Sequence, residues 1–208
     1  QSITKAAALL LALNLGGDEI WERVGKEPSG TAFNNLAQLE VEKGFPRNPF
    51  INAGAIAVTD YLMTRLRRDP SDAIRALLSF SAGGAKASID EAVASSELAH
   101  AYTNRAIANM LRLHGTIRND PEEVLAAYCR QCAIRMSLRD LVKAFAPLAC
   151  GGYAPFAHET VTTPRTARRI NAIMMTCGLY DAVGSFAYRV GLPAKSGVGG
   201  GIVAVAPG

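Results

Sequence analysis

The chain contains 208 residues, of which 49% are hydrophobic, 7% aromatic and 19% charged, and its formal net charge is +4. This composition excludes a disordered or low-complexity chain, and the length is sufficient for one domain with a buried core. The basic clusters Arg65–Arg68 and Arg168–Arg169 fall on predicted helices, where solvated charge is common, so we expect no nucleic-acid partner. The longest apolar run, Ala6–Leu13, is far shorter than the ~20 residues that cross a bilayer, so we expect no membrane partner.

Four cysteines in a chain of this size do not form the disulfide frame of a small secreted domain. We therefore expect reduced thiols and a cytoplasmic protein. The chain starts without a methionine and stops at Pro207-Gly208, directly after a strand pattern. We expect residues 1–208 to be a single domain that is incomplete at both ends.

Helix signals dominate the first 180 residues, where glycines, prolines and capping residues separate successive apolar segments. Residues 18–50 are the exception, because they show no sustained period and are predicted to form an ordered, apolar loop region. Helices are predicted over 2–15, 52–68, 72–82, 97–114 and 163–177, with further helical segments opening at 88, 120 and 137. N-caps are predicted at Ser71 and Asp120, a capping box is predicted at Ser88–Glu91, and Ser137 and Thr163 are predicted to open helices.

Strand signals are confined to Ser185–Val190 and Val198–Ala206, which are rich in β-branched or aromatic residues or bounded by glycine. Two strands after seven or eight helices indicate a small sheet whose other strands lie outside this chain. The sequence thus predicts an α/β fold in which a helical layer covers a small antiparallel sheet.

The first candidate for chemistry is Ser2-Ile3-Thr4-Lys5 at the start of a predicted helix. Side chains three residues apart on a helix lie on one face, with Cβ atoms roughly 5–6 Å apart. A serine hydroxyl becomes nucleophilic when a neighbouring base takes its proton, and a lysine can be that base if burial lowers its pKa. Taken alone, the four-residue pattern is common by chance and is weak evidence.

The second candidate is Lys195-Ser196-Gly197-Val198, followed by three glycines that lead into a strand. Adjacent glycines are entropically costly, and they are typical of places where a backbone approaches a ligand closely. A flexible hairpin would explain them as well. Together with Ser2-x-x-Lys5, however, the pattern is similar to the strand-borne Lys-Ser/Thr-Gly of penicillin-recognising enzymes.

The third candidate is Asn52, which follows the proline-stiffened loop Gly44–Ile51. An asparagine directly before a helical pattern is commonly an N-cap, which would be a purely structural role. A role in binding a ligand is the alternative, and the residues alone do not choose between them.

Several long strings resemble the serine-dependent glutaminase family, both bacterial and kidney-type. They are Val24–Gly30, Phe33-Asn34, Gln38–Glu40, Gly44–Ala55 and Lys195–Gly200. The resemblance extends over the whole chain. It implies a fold like that of β-lactamases and penicillin-binding proteins and the hydrolysis of L-glutamine to L-glutamate and ammonia. It also implies a homodimer or homotetramer.

The resemblance also implies roles for individual residues. Ser2 corresponds to the nucleophile, Lys5 to its base, and Asn52 to a substrate-binding asparagine. Glu97 and Asn104 correspond to residues that hold the amino-acid end of glutamine. Tyr128, Tyr180 and Val198 correspond to two site tyrosines and a valine whose backbone faces the reacting amide.

The implied chemistry is acyl transfer through a γ-glutamyl-enzyme. Lys5 would take the proton of Ser2, and the backbone N–H groups of Ser2 and Val198 would bind the oxyanion. Tyr180 or Tyr128 would relay a proton to the departing ammonia. No step calls for a metal ion or an organic cofactor. Glutamine is a zwitterion, so a selective site needs an anion for its ammonium and hydrogen-bond donors for its carboxylate. Glu97 and Asn104 can supply these groups, and they lie two turns apart on the helix predicted over 97–114.

The remaining metal-like and redox-like signals are weak. Cys129-Arg130-Gln131-Cys132 is a CxxC inside a predicted helix, without a second pair, and the three histidines have no mutual spacing typical of a metal site. Two other functions remain open: an acylase of the β-lactamase type, and a non-catalytic fragment that binds glutamine or serves as a scaffold.

Overall fold

A computed structural model of the chain describes residues 2–30 and 34–208. Phe33, which belongs to one of the family strings, lies outside the described residues. In the part of the chain that is described, no helix is long and apolar enough to cross a membrane.

Helices make up most of the described chain, and the strands are short. The α-helices are α1 Thr4–Gly16, α2 Leu36–Val41, α3 Asn52–Leu66, α4 Ser71–Ser81, α5 Glu91–Ala99, α6 Tyr102–Leu113, α7 Pro121–Cys132, α8 Leu138–Ala149, α9 Pro164–Cys177 and α10 Val183–Val190. The strands are β1 Ser88–Ile89, β2 Ile134–Arg135, β3 Tyr153–Ala154, β4 Glu159–Thr160, β5 Ala194–Ser196 and β6 Ile202–Ala204. Short 3₁₀ segments cover Gly17–Glu22 and Tyr180–Ala182.

The strands form antiparallel pairs, β1 with β2, β3 with β4, and β5 with β6. In the last pair, Lys195 lies opposite Val203. The α/β class predicted from the sequence, with many helices and antiparallel strands, is therefore confirmed for the described residues, but the strands form three separate pairs instead of one small sheet.

Helix α1 is the centre of the larger core. It contacts α3, α4 and α9, and nearly every residue from Thr4 to Leu13 is buried. A helix that is apolar on all sides is stable only when it is enclosed. The small residues Ala6, Ala7 and Ala8 allow its neighbours to approach closely, and each is at most 3% exposed.

Helix α3 joins this core to a second one. Val58, Tyr61 and Leu62 face the core around α1, whereas Ala55 and Ile56 pack into a cluster with α6 and α7. Because α3 is buried on both sides from Asn52 to Leu62, its first residue is held in a fixed place between α1, α6 and α7.

Several predicted helix starts are confirmed and two are wrong. Asp120, Ser137 and Thr163 cap α7, α8 and α9 by accepting backbone N–H bonds. Ser88 lies in strand β1, and the cap of α5 is Asp90. Ser71 is already helical, and its hydroxyl donates to the carbonyl of Ala127 instead.

The predicted strand Ser185–Val190 is wrong, because these residues belong to helix α10. The apolar residues Val183, Phe186, Ala187 and Val190 recur at helical spacing (i, i+3, i+4, i+7), which outweighs their β propensity. The predicted strand 198–206 is present but shorter, as β6 covers only Ile202–Ala204. The region 18–50 was expected to have no secondary structure but contains the 3₁₀ segment Gly17–Glu22 and helix α2.

Candidate functional site

Three helices begin at one cavity of about 660 Å³. Helices α1, α3 and α6 start next to it, and none of them has a side-chain cap. The positive ends of three helix dipoles therefore lie beside the cavity, which favours an anionic ligand and disfavours a charged lysine. The lining includes Ser2, Asn34, Asn52, Ser96, Glu97, His100, Asn104, Tyr128, Cys129, Cys132 and Val198.

Ser2 lies in the turn before α1, and Lys5 lies in the first turn of that helix. The backbone N–H of Lys5 donates to the carbonyl of Ser2 at 3.3 Å. Lys5 is 1% exposed, and its Nζ donates to the carbonyl of Phe50 and to Oδ1 of Asn52, both at 2.9 Å.

Asn52 is the first residue of α3 and does not cap it, since Ile51 occupies the N-cap position. The interpretation of Asn52 as an N-cap is therefore wrong. Its Oδ1 accepts from Lys5 and, at 3.4 Å, from the hydroxyl of Tyr128. Its Nδ2 donates to Oδ1 of Asn104 at 2.8 Å. Asn52 thus connects the buried lysine to the opposite wall of the cavity.

Glu97 and Asn104 both line the cavity but lie on different helices. Helix α5 ends at Ala99 and α6 begins at Tyr102, so the single helix predicted over 97–114 is wrong. Glu97 is exposed near the end of α5, and Asn104 is partly buried near the start of α6. The break at His100-Ala101 turns the chain, and both side chains still reach the same cavity.

Tyr128 and Tyr180 take different places. Tyr128, on α7, is 5% exposed, and burial raises the pKa of its hydroxyl well above the usual 10. Tyr180 follows α9 with a φ of 55°, a left-handed conformation that is costly for a tyrosine and is typical of functional positions. Its hydroxyl is hydrogen-bonded to the side chain of Ser2, which lowers its pKa, whereas burial raises it more strongly.

Lys195 is the site residue that the sequence analysis did not assign. It lies on β5 with 0% exposure, and its Nζ donates to the carbonyls of Gly178 at 3.1 Å and Ser196 at 2.6 Å. The hydroxyl of Tyr180 lies 3.3 Å from the same nitrogen. The available signal is the Lys-Ser-Gly pattern, whose similarity to a strand-borne motif places Lys195 on a strand but assigns no role to its side chain.

Burial gives both lysines unusual acidity. It lowers the pKa of Lys5 from 10.5 to about 8. Burial and the charge of neighbouring Lys5 lower the pKa of Lys195 to about 6. At neutral pH, Lys195 is therefore mostly uncharged. The pKa of Lys5 lies only slightly above neutral pH, so a fraction of Lys5 is uncharged as well.

Val198 and the cysteines complete the lining. Val198 is 76% exposed in the β5–β6 turn and faces the cavity. Cys129 and Cys132 also line it from within α7, and all four cysteines are unpaired. Among residues 2–30 and 34–208, no group of three or more histidine, cysteine or acidic side chains is arranged to hold a metal ion.

Comparison with known proteins gives a consistent result. All 208 residues match the family model described as Glutaminase. A curated glutaminase of Caulobacter vibrioides is 66% identical over 208 residues, which are 100% of this chain and 67% of that protein. The chain therefore spans about two thirds of the length of this relative.

Solved structures agree in fold. A probable glutaminase, ybaS, matches with a TM-score of 0.92 and 38% identity, over 100% of this chain and 67% of that chain. A structure of Mglu in its glutamate form matches with a TM-score of 0.91 and 38% identity, over 100% of this chain and 48% of that chain.

Proposed function

Because this chain belongs to the glutaminase family of glutamine-hydrolysing enzymes, we propose that it cleaves L-glutamine by acyl transfer to Ser2. The first half-reaction releases ammonia and leaves a γ-glutamyl ester on Ser2, and water then releases L-glutamate. The observation that carries this proposal is the cavity lined by Ser2, Glu97 and Asn104, to which the buried Lys5 is joined through Asn52.

Lys5 is the proposed base for Ser2. An uncharged lysine has two N–H donors and one lone pair. The carbonyl of Phe50 and Oδ1 of Asn52 occupy the two donors, so the lone pair remains available for the proton of Ser2. A pKa of about 8 makes this uncharged form accessible near neutral pH.

The oxyanion is proposed to bind to the backbone N–H groups of Ser2 and Val198. Support comes from their common position on the cavity and from the uncapped start of α1, whose dipole favours negative charge. One such donor contributes about 10²–10³ in rate. Tyr180 is the proposed relay that passes the proton taken from Ser2 by Lys5 on to the leaving nitrogen, because its hydroxyl is hydrogen-bonded to Ser2 whereas that of Tyr128 is hydrogen-bonded to Asn52.

The amino-acid end of glutamine is proposed to bind between Glu97 and Asn104. The exposed carboxylate of Glu97 suits the substrate ammonium. Oδ1 of Asn104 already accepts from Asn52, so its Nδ2 is left to donate to the substrate carboxylate, beside the uncapped start of α6. Asparagine is one methylene shorter than glutamine and should be turned over far more slowly.

The deciding experiment measures ammonia release from L-glutamine by the full-length protein and its Ser2→Ala variant. We expect Ser2→Ala to abolish turnover, whereas Ser185→Ala, an exposed serine on α10, should leave it unchanged. Thermal stabilisation by glutamine without ammonia release would instead indicate a non-catalytic binding protein. Hydrolysis of nitrocefin in place of glutamine would indicate a β-lactamase-type acylase.

Three broader points are part of the proposal. The relation to β-lactamases and penicillin-binding proteins is supported by a helix-start Ser-x-x-Lys beside a strand-borne Lys-Ser-Gly. A cytoplasmic location is supported by the four unpaired cysteines. We also propose that residues 1–208 form a single catalytic domain that is incomplete at both ends and acts as a homodimer or homotetramer. Both points rest on the family resemblance, and light scattering of the full-length protein tests the assembly.

A further inference from the structure

Helices α5 and α6 meet at the break His100-Ala101, in the wall of the cavity that also carries Glu97 and Asn104. Because α5 ends here and α6 starts here, the negative end of one helix dipole lies beside the positive end of the other. The amino-acid end of glutamine carries an ammonium and a carboxylate on one carbon atom. The break is polarised to suit such a ligand, with the ammonium on the α5 side and the carboxylate on the α6 side.

His100 is the C-cap of α5 and also lines the cavity. Its backbone N–H donates to the carbonyl of Ser96 at 3.3 Å, and its Nδ1 lies 2.8 Å from the same oxygen. A carbonyl can only accept, so Nδ1 carries a proton and the neutral ring keeps its lone pair on Nε2. Among residues 2–30 and 34–208, no protein group is hydrogen-bonded to Nε2, so this nitrogen is an acceptor available to a ligand.

Glu97 lies one helical turn before His100. Because the backbone N–H of His100 still makes a helical hydrogen bond, the Cβ atoms of the two residues are roughly 5–6 Å apart on one face. Arg105, near the start of α6, donates to the carboxylate of Glu122 at 2.5 and 3.0 Å and to the carbonyl of Leu98 at 3.3 Å. This arginine therefore does not neutralise Glu97, whose charge is left for a cationic group of a ligand.

Resting on the proposed function, we infer that His100 determines specificity for an α-amino acid amide, because its Nε2 accepts a hydrogen bond from the substrate ammonium. Glu97 supplies the negative charge for this ammonium, and His100 supplies a second acceptor for another of its N–H bonds. The ring binds in its neutral form, since a charged ring would lie beside a second cation. Glutaramate, which is glutamine without the α-amino group, has no donor for Nε2 and gains nothing from His100.

A purely structural role of His100 would depend on the other ring nitrogen. The hydrogen bond from Nδ1 to Ser96 holds the end of α5, and its loss would displace Glu97. Two substitutions separate the roles of the two nitrogens. In His100→Asn, the amide nitrogen takes the place of Nδ1 and still donates to Ser96, but no acceptor remains at the position of Nε2. In His100→Gln, the longer side chain brings an amide oxygen to the position of Nε2, and the bond to Ser96 is lost.

The test measures kcat/KM for L-glutamine and for glutaramate with the full-length protein and both variants. We expect His100→Asn to lower kcat/KM for glutamine about 10-fold or more, mainly through KM, because a hydrogen bond to a charged group is lost. The same variant should leave kcat/KM for glutaramate unchanged. His100→Gln should keep most of the wild-type preference for glutamine over glutaramate. His158→Asn, at an exposed histidine between β3 and β4, is the matched control and should behave like the wild type.

The outcomes that contradict the inference are specific. It is overturned if His100→Asn keeps the wild-type preference for glutamine, or if His100→Gln shows the larger loss, as a structural role at the end of α5 requires. If the wild type releases no ammonia from glutamine, the proposed function itself fails. The ratio of the binding constants for glutamine and glutaramate, measured by calorimetry on the same variants, then tests His100 alone.

Discussion

Asn52 shows how one side chain connects recognition to chemistry. Its oxygen accepts from Lys5 and its amide nitrogen donates to Asn104, so the orientation of both partners depends on it. An ammonium or amine can only donate towards this oxygen, which fixes the amide group in one orientation. A carboxylate in place of the Asn52 amide would change the contacts with Lys5 and Asn104 on both walls of the cavity. Its largest effect would come from its negative charge next to Lys5.

The first prediction concerns pH. If uncharged Lys5 is the base, kcat/KM should rise with pH through a pKa near 8. In Asn52→Asp, a carboxylate beside Lys5 stabilises its charged form and raises that pKa, so the rise should move to higher pH by about one unit or more. The pH profile of kcat/KM measures the shift. Asn109→Asp, an exposed asparagine on α6, is the matched control, and an unmoved profile in Asn52→Asp would remove Lys5 from the role of base.

The second prediction concerns substrate affinity. Glu97→Gln keeps the shape of the side chain but removes the charge that suits the substrate ammonium. A hydrogen bond to a charged group contributes about 1.5–3 kcal/mol, so KM for glutamine should rise about 10- to 100-fold while kcat changes little. Steady-state kinetics with glutamine test this, with Glu123→Gln on the exposed face of α7 as control. A fall in kcat at constant KM would instead place Glu97 in the chemistry.

At the scale of elements, the start of α3 is fixed by its contact with the preceding loop. Asn48 is 1% exposed, and its Oδ1 accepts from the backbone N–H groups of Phe50 and Ile51. The next turn of α3 lies so close that a Cβ on Gly54 would be 1.8 Å from the carbonyl oxygen of Asn48. Glycine at this position is what allows Asn52 and the carbonyl of Phe50 to reach Lys5.

The third prediction compares two glycines in helices. Gly54→Ala should destabilise the protein by about 1–3 kcal/mol, because overpacking outweighs the gain in helix propensity, and it should also reduce turnover. A Cβ on Gly184 in α10 meets nothing within 4 Å, so Gly184→Ala should instead stabilise it by up to about 1 kcal/mol. Urea denaturation of both variants measures the difference. Equal stability changes would contradict the close contact between α3 and residue 48.

The elements that could be predicted from the sequence are those with local signals. Asp120, Ser137 and Thr163 are caps within a few residues of the N–H groups that they bind, so the pattern alone located them. The break between α5 and α6 contains no glycine or proline that would predict it from the sequence. Both helices pack against α7, and this tertiary contact determines where the chain turns. In helix α10, the β-branched and aromatic residues favour a strand locally, whereas their spacing is that of a helix and agrees with the fold.

At the scale of the molecule, the residues of the site could be predicted largely through the family resemblance, whereas their connections could not. Ser2 and Lys5 are neighbours in sequence, and their spacing alone suggested a pair. The path from Ser2 through Tyr180 to Lys195 joins residues that are almost the whole chain apart, and the acceptor Gly178 comes from a helix end. Such a network depends on tertiary packing, and no local pattern describes it.

The last prediction follows from the cost of burying two lysines in one core. Lys195 has a pKa of about 6 in the folded protein and 10.5 as its ordinary value, so between these values the unfolded chain binds the extra proton. Stability should therefore rise with pH in this window, by about 1.4 kcal/mol per pH unit for this one group. Between pH 7 and pH 8 the contribution of Lys5 is small, because its window opens only at about 8.

Replacing Lys195 by methionine removes this dependence. Lys195→Met should be more stable than the wild type at pH 7, and its advantage should shrink by about 1.4 kcal/mol at pH 8. Urea denaturation at the two pH values measures both quantities, and Lys86→Met should show neither effect. A constant difference between Lys195→Met and the wild type would mean that Lys195 is charged in the folded protein.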